Sequence, residues 1–200
     1  MALARRRAKH KATRTAVAWP VPGPDSLRSD LDAALPFALT AGQRRVGSEL
    51  AAALDSTVPM QRLLQGDVGS GKTLVALRAM LQVVGGGGQA ALLAPTEVLA
   101  AQHHASLGSL LGPLAGDGML GGAERATRVH LLTGSTPASG RRRILAELAA
   151  GEPVIVVGTH ALLSETVQMP LLGLVVVDEQ HRLGHGLHQQ GVFLDPIELP

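Results

Sequence analysis

Gly66-Asp67-Val68-Gly69-Ser70-Gly71-Lys72-Thr73 matches the phosphate-loop pattern G-x-x-x-x-G-K-[ST] at every fixed position. Each residue type has a chemical reason to be there. The glycines let the backbone enter conformations that a side chain forbids, and let it approach a phosphate closely. The loop's N–H groups then form an anion nest, and the helix that follows adds its positive end. Lys72 would reach the β/γ-phosphates, and the Thr73 hydroxyl would hold Mg²⁺.

The flanks supply the required setting. Gln61 to Gln65 reads as a short strand, and Leu74, Leu77, Leu81 and Val84 recur at helical spacing up to Gly85. Of the 18 basic residues only Lys9, Lys11 and Lys72 are lysines. A chain that otherwise uses arginine keeps a compact ammonium at the loop, where a planar guanidinium would not do the same job.

Composition bounds the rest. Two hundred residues suit one domain with an appendage, and 46% apolar content fills a core. Aromatics are only 2%, so that core is built from Leu, Val and Ala. With no cysteine there is no disulfide framework or thiolate metal site. No apolar run approaches the ~20 residues of a membrane span, and no secretory signal is visible. A cytoplasmic protein without membrane partners is expected. The net charge of +2 hides an asymmetry: Arg5, Arg6, Arg7, Lys9, Lys11 and Arg14 are unopposed by any acid in the first 14 residues. That run reads as a solvated helix face or as a phosphate-contacting one.

In chain order, residues 1–18 are predicted to form a basic helix. Trp19 to Pro24 is predicted as an extended linker and Asp25 to Ala34 as a short helix. A helix after Thr40 runs to about Leu54. Thr40 and Gln43 form the spacing of a capping box. Gln43 also suits an adenine, because a carboxamide pairs with both N6–H and N7, and Phe37 could pack on the purine ring. The phosphate loop 23 residues downstream favours the adenine reading.

Beyond the loop helix, strands are predicted at Ala90–Ala94, Val129–Leu132, Val154–Val157 and Leu174–Val177. Helices are predicted from Glu97 to about Leu111 and from about Arg141 to Ala150, with a flexible loop from Gly112 to Gly122. Continuously apolar strands alternating with helices predict an α/β fold with a parallel sheet covered on both faces. The last strand runs into Asp178-Glu179-Gln180-His181. Asp178 would hold the magnesium hydration shell and Glu179 would polarise the attacking water. His181, His185 and His188 also suggest zinc. Gly184 and Gly186 spoil a helix there and no carboxylate ligand is evident, so the ligand spacing does not support it.

Several strings together carry a family resemblance. They are Leu35–Gln43, Gly66–Thr73, Ala94-Pro95-Thr96-Glu97 with Gln102-His103, and Leu131-Leu132-Thr133-Gly134-Ser135. Val157-Gly158-Thr159-His160-Ala161-Leu162 and Val175 to Arg182 complete the set. In this order they resemble the RecG family of superfamily 2 DNA helicases over roughly residues 1–182. The related transcription-repair coupling factors usually carry a bulky residue in place of Ser70 and an acid in place of Gln180.

The resemblance implies a P-loop NTPase lobe of RecA-like fold over 35–182, working with ATP and Mg²⁺ on branched duplex DNA in recombination and repair. Residues 1–34 would be the exit helix and linker of a missing wedge domain, and 183–200 a divergent tail. It implies that Gln43 and Phe37 read adenine and that Gln180 and His181 couple nucleotide state to DNA. It also implies that Pro95-Thr96-Glu97, Thr133-Gly134-Ser135 and Gly158-Thr159-His160 line the DNA track by backbone contacts. A second motor domain with its arginine finger, and the Ser/Thr-Ala-Thr motif, have no counterpart here.

The family inserts a later strand between the phosphate-loop strand and the strand ending at Asp178. Without it those two strands would stand about two spacings of ~4.8 Å apart. Only Gly191-Val192-Phe193-Leu194, ending before Pro196, could substitute. Low stability, weak nucleotide binding and negligible turnover are therefore expected of the isolated chain. The competing readings are a non-catalytic nucleotide-binding fragment, a coupling-factor-like translocase lobe, and a different phosphate-loop NTPase.

Overall fold

Two strands lie at the centre of the molecule: β2 (Gln89–Leu93) and β4 (Val154–Gly158), each buried along its whole length. Their side chains alternate between two cores, as a pleated strand demands. Ala90, Leu92, Ile155 and Val157 face a core shared with the helices α1 (Leu27–Ala34), α3 (Lys72–Gly85) and α4 (Glu97–Leu111). Ala91, Leu93, Val154 and Val156 face the opposite core, with Ile144 and Leu148 of α5 (Ala138–Ala149). A parallel sheet covered by helices on both faces is thus present, in the order β3-β4-β2-β5, with β3 at Arg128–Leu132 and β5 at Leu172–Val177. This is a computed structural model, and it describes residues 15–116 and 125–178 and the backbone of 195–198.

Local chemistry sets the helix ends. Ser26 caps α1 through Ser29 N–H. Thr40 caps α2 (Ala41–Leu54) and Thr96 caps α4, each accepting the N–H three residues on. The helix α3 stops at the glycine run 85–88, where Gly87 takes φ +88°. Most of α3 is buried, so its polar residues must be partnered inside. Arg78 grips Asp32 of α1 with two bonds of 2.8 and 2.9 Å. The Gln82 amide donates to the carbonyls of Trp19 and Ala51.

The N-terminal stretch differs from expectation. Residues 15–18 are not helical, and the rest of the expected helix lies outside the described residues. Trp19 is not a linker residue but an anchor, 9% exposed. Its N–H bonds Leu54 O and its carbonyl accepts from Gln82. The indole lies on three glycines: a Cβ would come within 3.0 Å of the ring at Gly86, 2.4 Å at Gly88 and 2.5 Å at Gly173. A proline-rich composition signals extended chain, and extended chain can still be docked.

Three further corrections concern the later elements. The expected Gly112–Gly122 loop begins as a 3₁₀ turn, Gly112–Leu114, with Leu114 buried; Ala115 then bridges Thr127. Its remaining residues, from 117, lie outside the described set. The helix α5 starts at Ala138, one turn ahead of Arg141, because Pro137 fits immediately before a helix. The strand β5 is apolar yet has Leu172 and Val175 exposed, because it ends the sheet instead of lying within it.

The strand β1 (Arg62–Gln65) is not hydrogen-bonded to β5. It pairs in parallel with β6 (Asp195–Glu198) in a separate two-stranded sheet. The strand beside β1 is 195–198, with Pro196 opposite Leu63; the expected run 191–194 lies outside the described residues. A two-stranded sheet has only edges, and an edge tolerates the missing N–H of proline. A cavity of about 470 Å³ lies between β1 and β5, lined by Leu63, Leu64, Val176, Val177, Trp19 and Met60 among others.

Candidate nucleotide site and strand-end loops

The phosphate loop leaves β1 and turns into α3. Gly69 and Gly71 take φ of +86° and +85°, the left-handed region that favours glycine. Gly71 faces a second constraint, since a Cβ there would lie 2.4 Å from Gln43 Nε2. That carboxamide braces the loop by donating to Ser70 O at 2.9 Å. Its Oε1 accepts Thr40 N–H at 3.0 Å, completing the capping box. The two readings of Gln43 are not exclusive. One amide proton and one oxygen lone pair remain after both bonds. Phe37 is exposed, as is Val68 at the loop tip.

Lys72 is the first residue of α3, and its ammonium donates to the carbonyls of Gly66 and Asp67 at 2.7 and 2.8 Å. The positive charge is therefore held inside the loop by the loop's own backbone. The Ser70 hydroxyl is buried with no partner among the described residues, a polar atom that a bound group would satisfy. Thr73 follows in the first turn of α3. The Ser70 and Thr73 hydroxyls, the Lys72 ammonium and the loop's backbone N–H groups together form a set that fits a nucleotide's phosphates and a hard cation.

Asp178 stands at the end of β5. Its N–H continues the ladder to Leu93 O at 2.9 Å, which fixes the backbone one residue past the strand. Leu63 and Leu64, on the strand that leads into the phosphate loop, and Val176 and Val177, on the strand that ends before Asp178, line one cavity. The Asp178 carboxylate takes a hydrogen bond from His103 of α4, Nε2 to Oδ2 at 2.7 Å. Glu179, Gln180 and His181, like His185 and His188, lie outside the described residues. No group of three or more His, Cys, Asp or Glu that could hold a metal occurs among the described residues.

The three remaining loops follow β2, β3 and β4 at the C-terminal edge of the sheet, where α/β folds place their ligands. The loop Pro95-Thr96-Glu97 opens α4, and the Thr96 hydroxyl is engaged in its cap. The Glu97 carboxylate accepts Gly134 N–H at 2.9 Å, so it ties two loops together. In the second loop Thr133 is buried with its hydroxyl 2.9 Å from Ser135 Oγ, while Gly134 and Ser135 are exposed. In the third, Gly158 has no space for a Cβ, which would sit 2.2 Å from Leu132 O. Thr159 is buried and caps a 3₁₀ turn, and His160 is exposed. Sequence reasoning gave no role to two residues here, His103 and Arg141. Arg141 Nη1 donates to Thr133 O at 3.4 Å. The one signal for His103 was its place in the string Gln102-His103.

Comparison with known proteins follows the same lines. Residues 41–193 match the DEAD/DEAH box helicase family, and the chain belongs to that family. Within it the likeness is to RecG. The chain is 56% identical over 182 residues to the ATP-dependent DNA helicase RecG of Mycobacterium tuberculosis, covering 91% of this chain and 24% of that protein. It is 51% identical over 150 residues to RecG of Synechocystis, covering 75% of this chain and 17% of that one. A solved structure of RecG bound to a three-way DNA junction superposes with a TM-score of 0.78 at 35% identity, over 97% of this chain and 25% of that chain. The chain is a RecG-like helicase motor lobe of α/β fold, and it spans between about a sixth and a quarter of the length of these relatives.

Proposed function

We propose that this chain is the ATP-binding lobe of a RecG-type DNA helicase, coupling ATP hydrolysis to movement on branched DNA. The observation that carries the reading is the phosphate loop, braced by Gln43 at Ser70 O and holding the Lys72 ammonium on its own carbonyls. Residues 35–182 would form the lobe proper, with 1–34 leading out of a wedge domain and 183–200 as a tail.

The loop from Gly66 to Thr73 would cradle the phosphates through its amides. Lys72 would exchange its bonds to Gly66 O and Asp67 O for the β/γ-phosphate oxygens, a change from neutral to charge-assisted partners. Gln43 would offer its remaining donor and acceptor to adenine, and exposed Phe37 would cover the ring. Thr73 and Asp178 would hold Mg²⁺, which neutralises charge on the β- and γ-oxygens when bound. Glu179 would polarise water, and Gln180 and His181 would relay the nucleotide state.

Exposed Gly134, Ser135 and His160, with Thr96 backbone, suit contacts to a DNA backbone, which position without reading sequence. The carboxylate of Glu97 is no phosphate ligand; it would hold the Gly134 loop in place. Among the described residues no helix is long and apolar enough to cross a membrane, in keeping with a DNA-acting protein.

The test is a titration of a fluorescent ATP analogue with Mg²⁺, on the parent and on Lys72→Ala. Saturable binding that weakens about tenfold or more in the variant is expected, with an unchanged melting temperature. Equal affinity would overturn the reading.

A further inference from the structure

We infer that His103 is a positioning residue for the metal-binding carboxylate, and that α4 is the rigid link between the DNA-facing loops and the nucleotide site. The inference rests on the nucleotide-site reading above and goes beyond it.

The imidazole Nε2 lies 2.7 Å from Asp178 Oδ2, with side chains 19% and 37% exposed. As the Nε2–H tautomer, His103 donates to Oδ2. That bond fixes the carboxylate's rotation and leaves Oδ1 for the cation's hydration shell. Partners of this kind orient carboxylates at metal sites, and their loss typically weakens metal affinity about 10–100-fold. A merely packed histidine would be expected to bury its ring without engaging Asp178, the acid that follows β5 directly.

The same helix carries both ends of the link. At its first turn Glu97 accepts Gly134 N–H, which ties it to the loop after β3. Six residues on, about 9 Å along the axis, stands His103. His104, on a neighbouring face, donates to Val129 O at 3.1 Å and pins the helix to β3. The helix is one uninterrupted 15-residue element, so a shift at its N-terminal loop moves His103 against Asp178. A contact made by DNA at Thr96 or Gly134 would thus be felt at the cation through one side chain, without a relay of loops.

The test uses the 200-residue chain and reads Mg²⁺ rather than turnover. A fluorescent ATP analogue is held at fixed concentration and Mg²⁺ is titrated, for the parent, His103→Ala, His103→Gln and Lys72→Ala. The Mg²⁺ midpoint is expected to rise about tenfold in His103→Ala. Nucleotide affinity in EDTA should not change. His103→Gln keeps an N–H donor and should stay within about threefold of the parent. If Lys72→Ala loses binding while His103→Ala keeps the parental midpoint, the inference is wrong and the nucleotide site stands. If the parent binds no Mg²⁺-nucleotide, both fall. Should His103→Ala not fold, a folded His103→Gln with a tenfold raised midpoint would equally overturn the donor role.

Discussion

Gln43 shows how much one side chain can carry. It is 8% exposed and closes the capping box of α2 while bracing the loop at Ser70 O. Gln43→Ala should therefore cost stability and affinity together. The cap alone accounts for about 0.5–2 kcal/mol. The adenine contact predicts a further, base-specific loss: ATP should weaken more than a purine nucleotide lacking the exocyclic amine. Melting curves and paired titrations measure the two effects. A destabilised variant with equal losses for both nucleotides would leave Gln43 as a brace only. The spacing Thr40–Gln43 made the cap legible in the sequence. The bond to Ser70 was not, because it joins residues 27 apart through a glycine that leaves room for it.

At the scale of elements, the strands and helices that pack in the two cores were legible to within about one helical turn. A strand buried on both faces, such as β2 or β4, can only be a continuous apolar run, and a helix such as α4 announces its start by Thr96 and its end by Gly112. The docked segment at Trp19 was illegible, because its partners are three glycines and a helix far away in sequence. Its contribution is large all the same. Trp19→Ala removes a buried indole and should destabilise the chain by about 3–5 kcal/mol. Gly173→Val should destabilise it also, by overpacking, since its Cβ would fall 2.5 Å from that ring. Urea unfolding of both variants checks this. Unchanged midpoints would show that the N-terminal segment is not part of the fold's core.

At the scale of the whole molecule, the sheet is split. The strand leading into the phosphate loop and the strand ending at Asp178 belong to different ladders and face each other across the cavity. Among the described residues no backbone ladder joins them, and Trp19 and apolar side chains of both strands line the cavity between them. Local opening should therefore start at β1. Amides of Leu63 and Leu64 are expected to exchange with solvent well ahead of those in β2 and β4. Equal protection in the three strands would mean that β1 is coupled to the sheet by more than packing. A resemblance to RecG foretold a gap at this place. It could not foretell that residues 195–198 would pair with β1, because a proline within a four-residue strand reads as a stop.

The central claim is that Gly66–Thr73 and Asp178 hold the phosphates and cation of ATP. Hydrogen exchange with and without saturating Mg²⁺-ATP tests it at the residues themselves. The account predicts slowed exchange at the amides of Gly69 to Thr73 and at Asp178, with little change in α5. Nucleotide bound at saturation with those amides unprotected, and protection appearing instead at the apolar cavity walls of β1 and β5, would contradict it.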